Sequence, residues 1–268
     1  MSMKNRVLVR LPANSVNQGL RINDRGAVDV ERAKSQHADY CEELKKLGYS
    51  IDLVLPPDDR YPDSVFVEDP ALIVGNTLVV TRLRRPERQG EEILMEETLS
   101  PHHRQVLRIM DPGFVEGGDV LVTNGFLYIG LSNRTNADGA LQLGRIAWEQ
   151  HRYRSAFIEI PDNHLHLKGE LSYHPDSNMV TVSERLMPGF SKAQRSMGAQ
   201  EKLVVIPAGD SAQRFGANCI SHGQKMLIHG GCVEARRILE AEGFEVREVL
   251  LDEYDKIDGA MTCMSKFF

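Results

Sequence analysis

The sequence is poor in the features that mark nucleic-acid-binding proteins. It has no run of basic residues, its aromatic content is only 6%, and its formal net charge at pH 7 is −6. A surface that binds nucleic acid or an anionic membrane is usually basic, and single-stranded nucleic acid also needs aromatic side chains for stacking. The composition therefore argues against both partners.

Long apolar runs and closely spaced cysteines are also missing. The N-terminal segment MSMKNRVLVRLPANS has a short apolar run broken by arginines, so neither a signal peptide nor a membrane span is expected. The four cysteines, Cys41, Cys219, Cys232 and Cys263, show no CxxC spacing. This argues against a structural zinc site and favours reduced thiols in a cytoplasmic protein.

What the chain does contain is one pattern of elements that recurs. Three apolar stretches with a central turn predict β-hairpins at 70–81, 119–130 and 219–231. Further strands are predicted at 6–12, 50–56, 104–110, 155–161, 202–208 and 245–251, and helices at 29–48, 85–99, 136–150, 191–200 and 232–244. The first unit would be split, with its hairpin completed by the two ends of the chain.

Reactive or polar side chains recur at or just before successive hairpins. Glu68, Glu116, His166, Asn218 and Cys263 are about fifty residues apart. A closed ring of like units would bring these positions to a common axis; alternatively, fifty residues is simply the length of one ββαβ unit. No linker-like stretch interrupts the pattern, so residues 1–268 are predicted to form a single domain.

Cys263 is either a nucleophile or a structural thiol. A nucleophilic cysteine needs a lowered pKa or a nearby base together with partial exposure, whereas a buried structural cysteine is inert. Cys219 is a rival nucleophile with similar flanking residues, and Cys41 is expected to pack on a helix face.

The segment NHLHLKGELSY (163–173) is predicted to be a strand with His164, His166 and Lys168 on one face. The two histidines could ligate a metal, although no third ligand is close in sequence. Alternatively one is a general base, or the face is simply solvated.

Carboxylates flank apolar runs in two places, at Asp63, Glu68 and Asp69 and at Glu116 and Asp119. Buried carboxylates need a cationic partner, which a cationic substrate could provide; the alternative is turn-forming acids. Arg88 and Arg134 could bind a carboxylate or form surface ion pairs. Together with a thiol and an imidazole, this set suits a zwitterionic substrate that carries an extra cationic group.

Eight short motifs occur in order along nearly the whole chain. They are VNQGL (16–20), LPPDDRYPDSVFVEDPAL (55–72), RPERQGE (85–91), FVEGGDVL (114–121), YIGLSNRTNADGA (128–140), LHLKG (165–169), GANCI (216–220) and KIDGAMTCMS (256–265). EGGD alone would mean little, but the whole set is highly specific. It resembles the dimethylarginine dimethylaminohydrolases, a family of the guanidine-modifying (amidinotransferase) superfamily.

The resemblance implies an α/β fold, a five-bladed α/β propeller of ββαβ units with pseudo-fivefold symmetry. It implies a hydrolase that converts Nω-methylated arginines to citrulline plus dimethylamine or methylamine through a covalent cysteine thiouronium intermediate, with no cofactor and no metal. The expected partner is a small-molecule substrate, the expected location is cytoplasmic, and association into a homodimer is left open.

The motifs also carry the family's functional residues onto this chain. Cys263 would be the nucleophile, His166 the general acid–base group and Glu116 the carboxylate that orients it; LHLK selects His166 over His164. The substrate-binding residues would be Asp69 at the guanidinium, Glu68 in the pocket wall, Asp63 with the carbonyls of Leu20 and Ile257 at the α-amino group, and Arg88 and Arg134 at the α-carboxylate.

Two stretches depart from the family pattern. TRLRRPERQ stands where a TRPG turn is expected, so Arg84 or Arg85 could replace Arg88 as the carboxylate clamp, and GELSYHPDSNMV differs beside His166. The alternatives are an arginine deiminase-like or other guanidine hydrolase of the same superfamily, a cysteine hydrolase acting on amides, and a non-catalytic binder of cationic amino acids.

Overall fold

The computed structural model describes residues 5–160, 164–210 and 215–268. The strands in these ranges form five three-stranded sheets, with the orders β15-β1-β2, β3-β4-β5, β6-β7-β8, β9-β10-β11 and β12-β13-β14. The strand bounds are β1 Arg6–Arg10, β2 Ser50–Leu55, β3 Ala71–Val74, β4 Thr77–Val80, β5 Gln105–Arg108, β6 Val120–Val122, β7 Phe126–Leu131, β8 Arg154–Glu159, β9 Leu171–His174, β10 Met179–Ser183, β11 Lys202–Ile206, β12 Ile220–His222, β13 Lys225–His229, β14 Glu245–Val249 and β15 Lys266–Phe267.

Each sheet repeats the same local topology. The middle strand pairs antiparallel with one neighbour and parallel with the other, and a helix lies in the connection between the parallel strands. The helices in the described residues are α1 Val30–Leu47, α2 Glu91–Leu99, α3 Ala137–His151, α4 Met187–Met197, α5 Val233–Ala241 and the short α6 Asp252–Asp255. None of them is long and apolar enough to cross a membrane. The repeated ββαβ unit is thus present five times.

The two ends of the chain complete one of these sheets. Strand β15 pairs antiparallel with β1, with Val7 opposite Phe267 and Leu8 opposite Lys266. Strand β1 also pairs parallel with β2, which follows α1. The prediction that the termini close the first unit is confirmed, and the segment around Cys263 leads directly into a paired strand.

Helix boundaries follow the local chemistry of the chain. Asp29 caps α1 by accepting a hydrogen bond from the backbone N–H of Arg32, and Gly48 ends it at a φ of 116°. Helix α4 begins at Met187, earlier than predicted, because Pro188 fits the first turn of a helix, and it ends before Gly198 at a φ of 67°. In the predicted helix 85–99, residues Pro86–Arg88 form a separate 3-10 turn before α2.

The predicted strand over 163–173 is wrong for the described residues before Leu171. Residues Leu167–Glu170 form a 3-10 turn, and β9 begins only at Leu171. The backbone N–H of Leu167 donates to the Asp119 carboxylate at 3.0 Å instead of to a neighbouring strand. A buried side-chain acceptor has replaced the ladder bond, which alternation of side chains cannot reveal. Asn163, the first residue of the prediction, lies outside the described residues.

Contacts divide the chain into two compact units. One comprises Met1–Phe66, Gly169–Met187 and Glu201–Phe268, and the other Val67–Lys168 and Pro188–Gln200. One apolar cluster belongs to the first unit and includes Val7, Val9 and residues of the 3-10 turn that bears Cys263. A second apolar cluster, which α3 forms with strands β6 and β7, belongs to the second unit. The single domain stays a prediction.

Candidate active site

The EGGD stretch forms a tight turn between β5 and β6. Gly117–Asp119 make a 3-10 turn, and the backbone N–H of Gly117 donates to the Asp69 carbonyl at 3.1 Å. A Cβ at Gly117 would lie 2.0 Å from the Glu68 carbonyl oxygen, and one at Gly118 would lie 2.6 Å from Nδ1 of His166. Two residues without side chains therefore let the backbone carry Glu116 close to Asp69 and His166.

Three titratable side chains meet at this turn. His166 Nε2 lies 2.8 Å from Glu116 Oε2 and 3.9 Å from Asp69 Oδ1. Asp69 and Glu116 are fully buried and His166 is 5% exposed. An imidazole bonded to one carboxylate and close to a second is the arrangement that orients a general acid–base group.

The surroundings favour the ionised form of both acids. Burial would raise the pKa of Asp69, but the charges of His166 and Arg88 outweigh it and hold this pKa well below its usual range. Burial would likewise raise the pKa of Glu116, and the hydrogen bond from His166 helps to lower it below the ordinary value. The cluster therefore keeps the Asp69 and Glu116 carboxylates ionised although both are buried away from water.

Arg88 is buried against carboxylates. Its Nη1 donates to Asp69 Oδ2 at 2.6 Å, and its Nε and Nη2 donate to the two oxygens of Glu91 at 3.0 and 2.8 Å. The facing carboxylates raise the pKa of Arg88 against the opposing effect of its burial. Glu91 was not predicted as a site residue, although its position three residues after Arg88 would suit a side-chain pair.

A second arginine and a lysine neutralise the remaining acids. Arg134 Nη1 lies 3.3 Å from both carboxylate oxygens of Glu116. Lys168 Nζ donates to Glu68 Oε1, and both side chains are largely buried. Arg88, Arg134, Asp69, Glu116 and His166 are thus in mutual contact within the second unit. Glu68, next to Asp69 in the chain, pairs with Lys168.

The Asp69, Glu116 and His166 cluster could also hold a cation. One ligand atom from each lies within 4.8 Å of the others. The acids already accept from Arg88 and Arg134, however, so guanidinium groups supply their positive charge. A cationic substrate group suits the cluster by the same logic.

The first unit holds Cys263 in the 3-10 turn Met261–Met264. Cys263 is 6% exposed, and its backbone N–H donates to the Ala260 carbonyl at 3.2 Å. Asn218 fixes the preceding residue from both sides, because its Oδ1 accepts from the Thr262 N–H and its Nδ2 donates to Thr262 Oγ1. Asn218, one of the five residues spaced about fifty apart in the chain, thereby stabilises the turn that carries the Cys263 thiol.

Cys41 and Cys219 are poor nucleophiles. Burial raises the pKa of Cys219, and it raises the pKa of Cys41 to about 11. A reactive cysteine needs the opposite shift. Cys219 is completely buried beside Cys232 in an apolar cluster, which suits packing and not catalysis.

The predicted α-amino site also lies in the first unit. Both oxygens of Asp63 accept from the Leu20 N–H, at 3.2 and 3.0 Å. Asp258 accepts from the backbone N–H groups of Ile22 and Asn23 at 2.5 and 3.3 Å. The segment bearing the Leu20 carbonyl is thereby tied to Asp63 and to the stretch that contains Ile257.

Known proteins resemble this chain over most of its length. The arginine deiminase family model matches residues 24–237. The chain is 36% identical over 98% of both chains to the N(G),N(G)-dimethylarginine dimethylaminohydrolase of Pseudomonas aeruginosa, and 30% identical to that of Streptomyces coelicolor, over 97% of this chain and 95% of the other.

Solved structures extend the likeness to the fold. A mutant dimethylarginine dimethylaminohydrolase from Pseudomonas aeruginosa, complexed with citrulline, superposes with a TM-score of 0.89 at 34% identity, over 99% of this chain and 100% of the other. The N-terminal domain of ArgZ, a cyanobacterial arginine dihydrolase, has a TM-score of 0.83 at 21% identity and shares the fold, over 97% of this chain and 96% of the other.

With its five ββαβ units, the structure confirms the predicted fold class, the five-bladed α/β propeller. The protein is a member of the arginine deiminase family and belongs, within it, with the dimethylarginine dimethylaminohydrolases.

Proposed function

We propose that this protein hydrolyses Nω-methylated arginines, asymmetric dimethylarginine and monomethylarginine, to citrulline plus dimethylamine or methylamine. The observation that carries the proposal is the buried triplet of Asp69, Glu116 and His166, in which two ionised acids flank one imidazole. Such a site can hold a guanidinium as a cation and move a proton beside it. The citrulline-bound relative supports the product.

In the first half-reaction, the Cys263 thiolate adds to the guanidinium carbon. The bond from that carbon to the methylated nitrogen then breaks, and protonated His166 gives its proton to the departing amine. Asp69 accepts hydrogen bonds from the guanidinium, and Glu68 lines the pocket. The product is a cysteine thiouronium, with the leaving amine neutral.

In the second half-reaction, neutral His166 takes a proton from water. The resulting hydroxide adds to the thiouronium carbon, and the carbon–sulfur bond breaks. Cys263 leaves as a thiolate, the hydroxyl proton of the new urea group passes to solvent, and neutral citrulline is released. The enzyme thereby returns to its starting state, with Cys263 as thiolate and His166 protonated. Glu116 stabilises the imidazolium in both steps through its 2.8 Å hydrogen bond. No step uses a cofactor.

The substrate-binding roles are those that the family resemblance implies. Asp63 and the carbonyls of Leu20 and Ile257 bind the α-amino group, and Arg88 and Arg134 bind the α-carboxylate. In the structure Arg88 donates hydrogen bonds to Asp69 and Glu91. To bind the substrate carboxylate, Arg88 must exchange one of these hydrogen bonds for one to the substrate. Arg84 is the alternative, since its Nη1 donates to the carbonyl of Asn133, next to Arg134. A larger rise in KM for Arg84→Lys than for Arg88→Lys would reassign the clamp.

The test is product analysis with a cysteine variant. The wild type should release dimethylamine and citrulline in equal amounts from asymmetric dimethylarginine, and Cys263→Ser should release neither. Acid-quenched wild type should carry a substrate-derived mass on the peptide that contains Cys263. Cys41→Ala, which changes a partly buried thiol on α1, is the matched control and should retain turnover.

Other outcomes identify the alternatives. Ammonia release from unmethylated arginine, with no amine from dimethylarginine, would assign deiminase activity instead. Binding of arginine without any turnover would assign a cationic amino-acid binder. Turnover by Cys263→Ser would contradict the covalent mechanism.

A cytoplasmic location is proposed as well, because none of the four cysteines forms a disulfide, as expected in a reducing compartment. The homodimer stays a prediction, which sedimentation of the purified protein would check.

A further inference from the structure

One buried carboxylate in the second unit has no part in the mechanism above. Asp119, the last residue of the EGGD turn, is fully buried. Within the described residues, its recorded hydrogen bonds do not go to a side chain that is proposed to bind or react with substrate. They go to segments that carry three of those side chains.

The Asp119 carboxylate holds the segment that bears His166. Its Oδ1 accepts from the backbone N–H of Leu167, the residue that follows His166, at 3.0 Å. The strand β7 approaches closely at this point, since a Cβ on Gly130 would lie 3.1 Å from the same oxygen. The imidazole is thus placed by a bond to the adjacent backbone, in addition to its bond with Glu116.

The second oxygen of Asp119 holds the loop that bears Arg134. It accepts from Ser132 Oγ at 2.6 Å. That hydroxyl in turn accepts from the backbone N–H groups of Arg134 and Thr135, at 2.9 and 3.2 Å. One serine therefore transmits the position of the carboxylate to the backbone of the arginine.

Thr135 extends the same network to Glu116. Its hydroxyl accepts from the Glu116 N–H at 3.1 Å, and its side chain also hydrogen-bonds to Asp119. The backbones of Glu116, Arg134 and the residue after His166 are therefore linked through one carboxylate and two hydroxyls. A neutral apolar residue of similar size could fill the space but could make none of these bonds.

Keeping a carboxyl at this position is unfavourable for the fold. Burial raises the pKa of Asp119 to about 6 despite the nearby His166 and the hydrogen bonds of Ser132 and Thr135. Groups that are held against such a cost are concentrated at functional sites.

From this geometry we propose that Asp119 is a positioning residue, which fixes His166 and Arg134 relative to Glu116 through the backbone and serine contacts of one carboxylate. The inference rests on the proposed function, since it assumes that His166 protonates a leaving amine. Misplacing a catalytic group by about 1 Å can cost on the order of 100-fold in rate.

Leaving groups of different basicity separate positioning from general damage. Dimethylamine must be protonated to leave, so its release depends on the placement of His166. Methanethiol, the leaving group of S-methyl-L-thiocitrulline, departs as a stable thiolate and needs little help from an acid. That compound forms an adduct with a histidine-to-glycine mutant of a related dimethylarginine dimethylaminohydrolase.

The experiment compares wild type, Asp119→Asn and Asp119→Ala on both compounds. For Asp119→Ala, we expect kcat for dimethylarginine to fall about 100-fold and first-turnover release of methanethiol to fall less than about 10-fold. Asp119→Asn retains one acceptor and an amide that can bond Ser132, so its loss should be intermediate. Rates are divided by the fraction of Cys263 that a guanidine-type inactivator labels, which corrects for misfolded protein.

The matched control is Thr77→Val, which removes the hydrogen bonds of another fully buried side chain in the same unit, to Gln105 and His151. It should affect both compounds equally or not at all. Equal losses on both compounds for the Asp119 variants, or no loss on either, would overturn the proposal. If wild type itself releases no amine from dimethylarginine, the proposed function has failed instead.

Discussion

Gly118 is needed in the EGGD turn because it has no side chain. A methyl group at this position would lie 2.6 Å from His166 Nδ1 and 3.0 Å from Asp69 Oδ1. The neighbouring groups are fixed by ion pairs and cannot move apart without losing them. The turn therefore needs glycine for the approach of the imidazole and not for an unusual backbone angle.

Gly118→Ala is expected to lower kcat by about 100-fold, because the added methyl displaces the imidazole from its place beside Glu116. Steady-state kinetics on dimethylarginine measures the effect. Gly189→Ala is the control, since a methyl there meets its nearest atom, on Ile158, only at 4.0 Å, and activity should be unchanged. Equal kcat values for the two variants would contradict this account of the turn.

Asp119 should make stability depend on pH. Because the pKa of this carboxyl is raised from 3.8 to about 6 in the folded protein, the unfolded chain loses its proton first as the pH rises. The folded state is therefore destabilised progressively between those values, and the full loss persists above them. Its size is on the order of 3 kcal/mol.

Replacing Asp119 with asparagine removes the titration but also alters hydrogen bonds, so the change with pH is the informative quantity. Relative to wild type, Asp119→Asn should become more stable by on the order of 3 kcal/mol as the pH rises from about 4 to about 8. Urea denaturation at several pH values measures this. Asp39→Asn, on the exposed face of α1, is the control substitution of the same type.

Much of the site was accessible from sequence at the residue scale, because Asp69, Glu116, His166, Arg88 and Arg134 stand in recognisable motifs. Glu91 and Lys168 were not identified. Their role depends on which buried partner each side chain reaches, and the sequence shows only that the charges are near in the chain.

At the scale of elements, α3 is linked to the turn that carries Glu116. Asn136 caps this helix by accepting from the Gly139 N–H, and the same Oδ1 accepts from the Phe114 N–H at 2.8 Å. Its Nδ2 donates to the Pro112 carbonyl at 2.9 Å. One side chain thus fixes both the start of a helix and the strand-like segment that leads to EGGD.

Asn136→Ala should destabilise the protein by about 1–2 kcal/mol, since it removes the cap and leaves further polar groups without a partner. Asn136→Asp keeps the acceptor and loses only the amide donor, so a smaller loss is expected. Thermal or chemical denaturation compares them. An alanine variant as stable as the aspartate variant would show that the cap contributes nothing.

The extent of each element was harder to predict than its existence. The hairpins of β3–β4, β6–β7 and β12–β13 follow from apolar runs around a glycine or asparagine turn. The stretch around His166 did not follow, because its alternation of histidine and leucine mimics a strand while Asp119, far away in the chain, captures the backbone of Leu167. Tertiary contacts of this kind leave no local signature.

At the scale of the whole molecule, the sheet made by both chain ends should be important for stability. Phe268 is 8% exposed, its backbone N–H donates to the Arg6 carbonyl, and the Arg6 guanidinium lies 4.4 Å from the centre of its ring. The neighbouring Phe267 packs on Tyr49 at 4.8 Å between ring centres. These contacts hold the strand that follows the Cys263 turn.

Phe268→Ala is expected to cost about 3 kcal/mol in the free energy of unfolding, as for other buried phenylalanines. Phe157→Ala removes a ring that is 44% exposed and should cost clearly less. Chemical denaturation of both variants provides the comparison. A loss at residue 268 no larger than at residue 157 would mean that the terminal strand is not part of the cooperative core.

The pairing of β15 with β1 also indicates that the chain can be circularly permuted. The last residue donates a hydrogen bond to residue 6, so the two ends of the described chain are already neighbours in one sheet. A short flexible linker could join them, and new ends could be opened at Asn124, in an exposed hairpin turn. In such a circular permutant, Cys263 would lie in the interior of the chain and no longer five residues from its end.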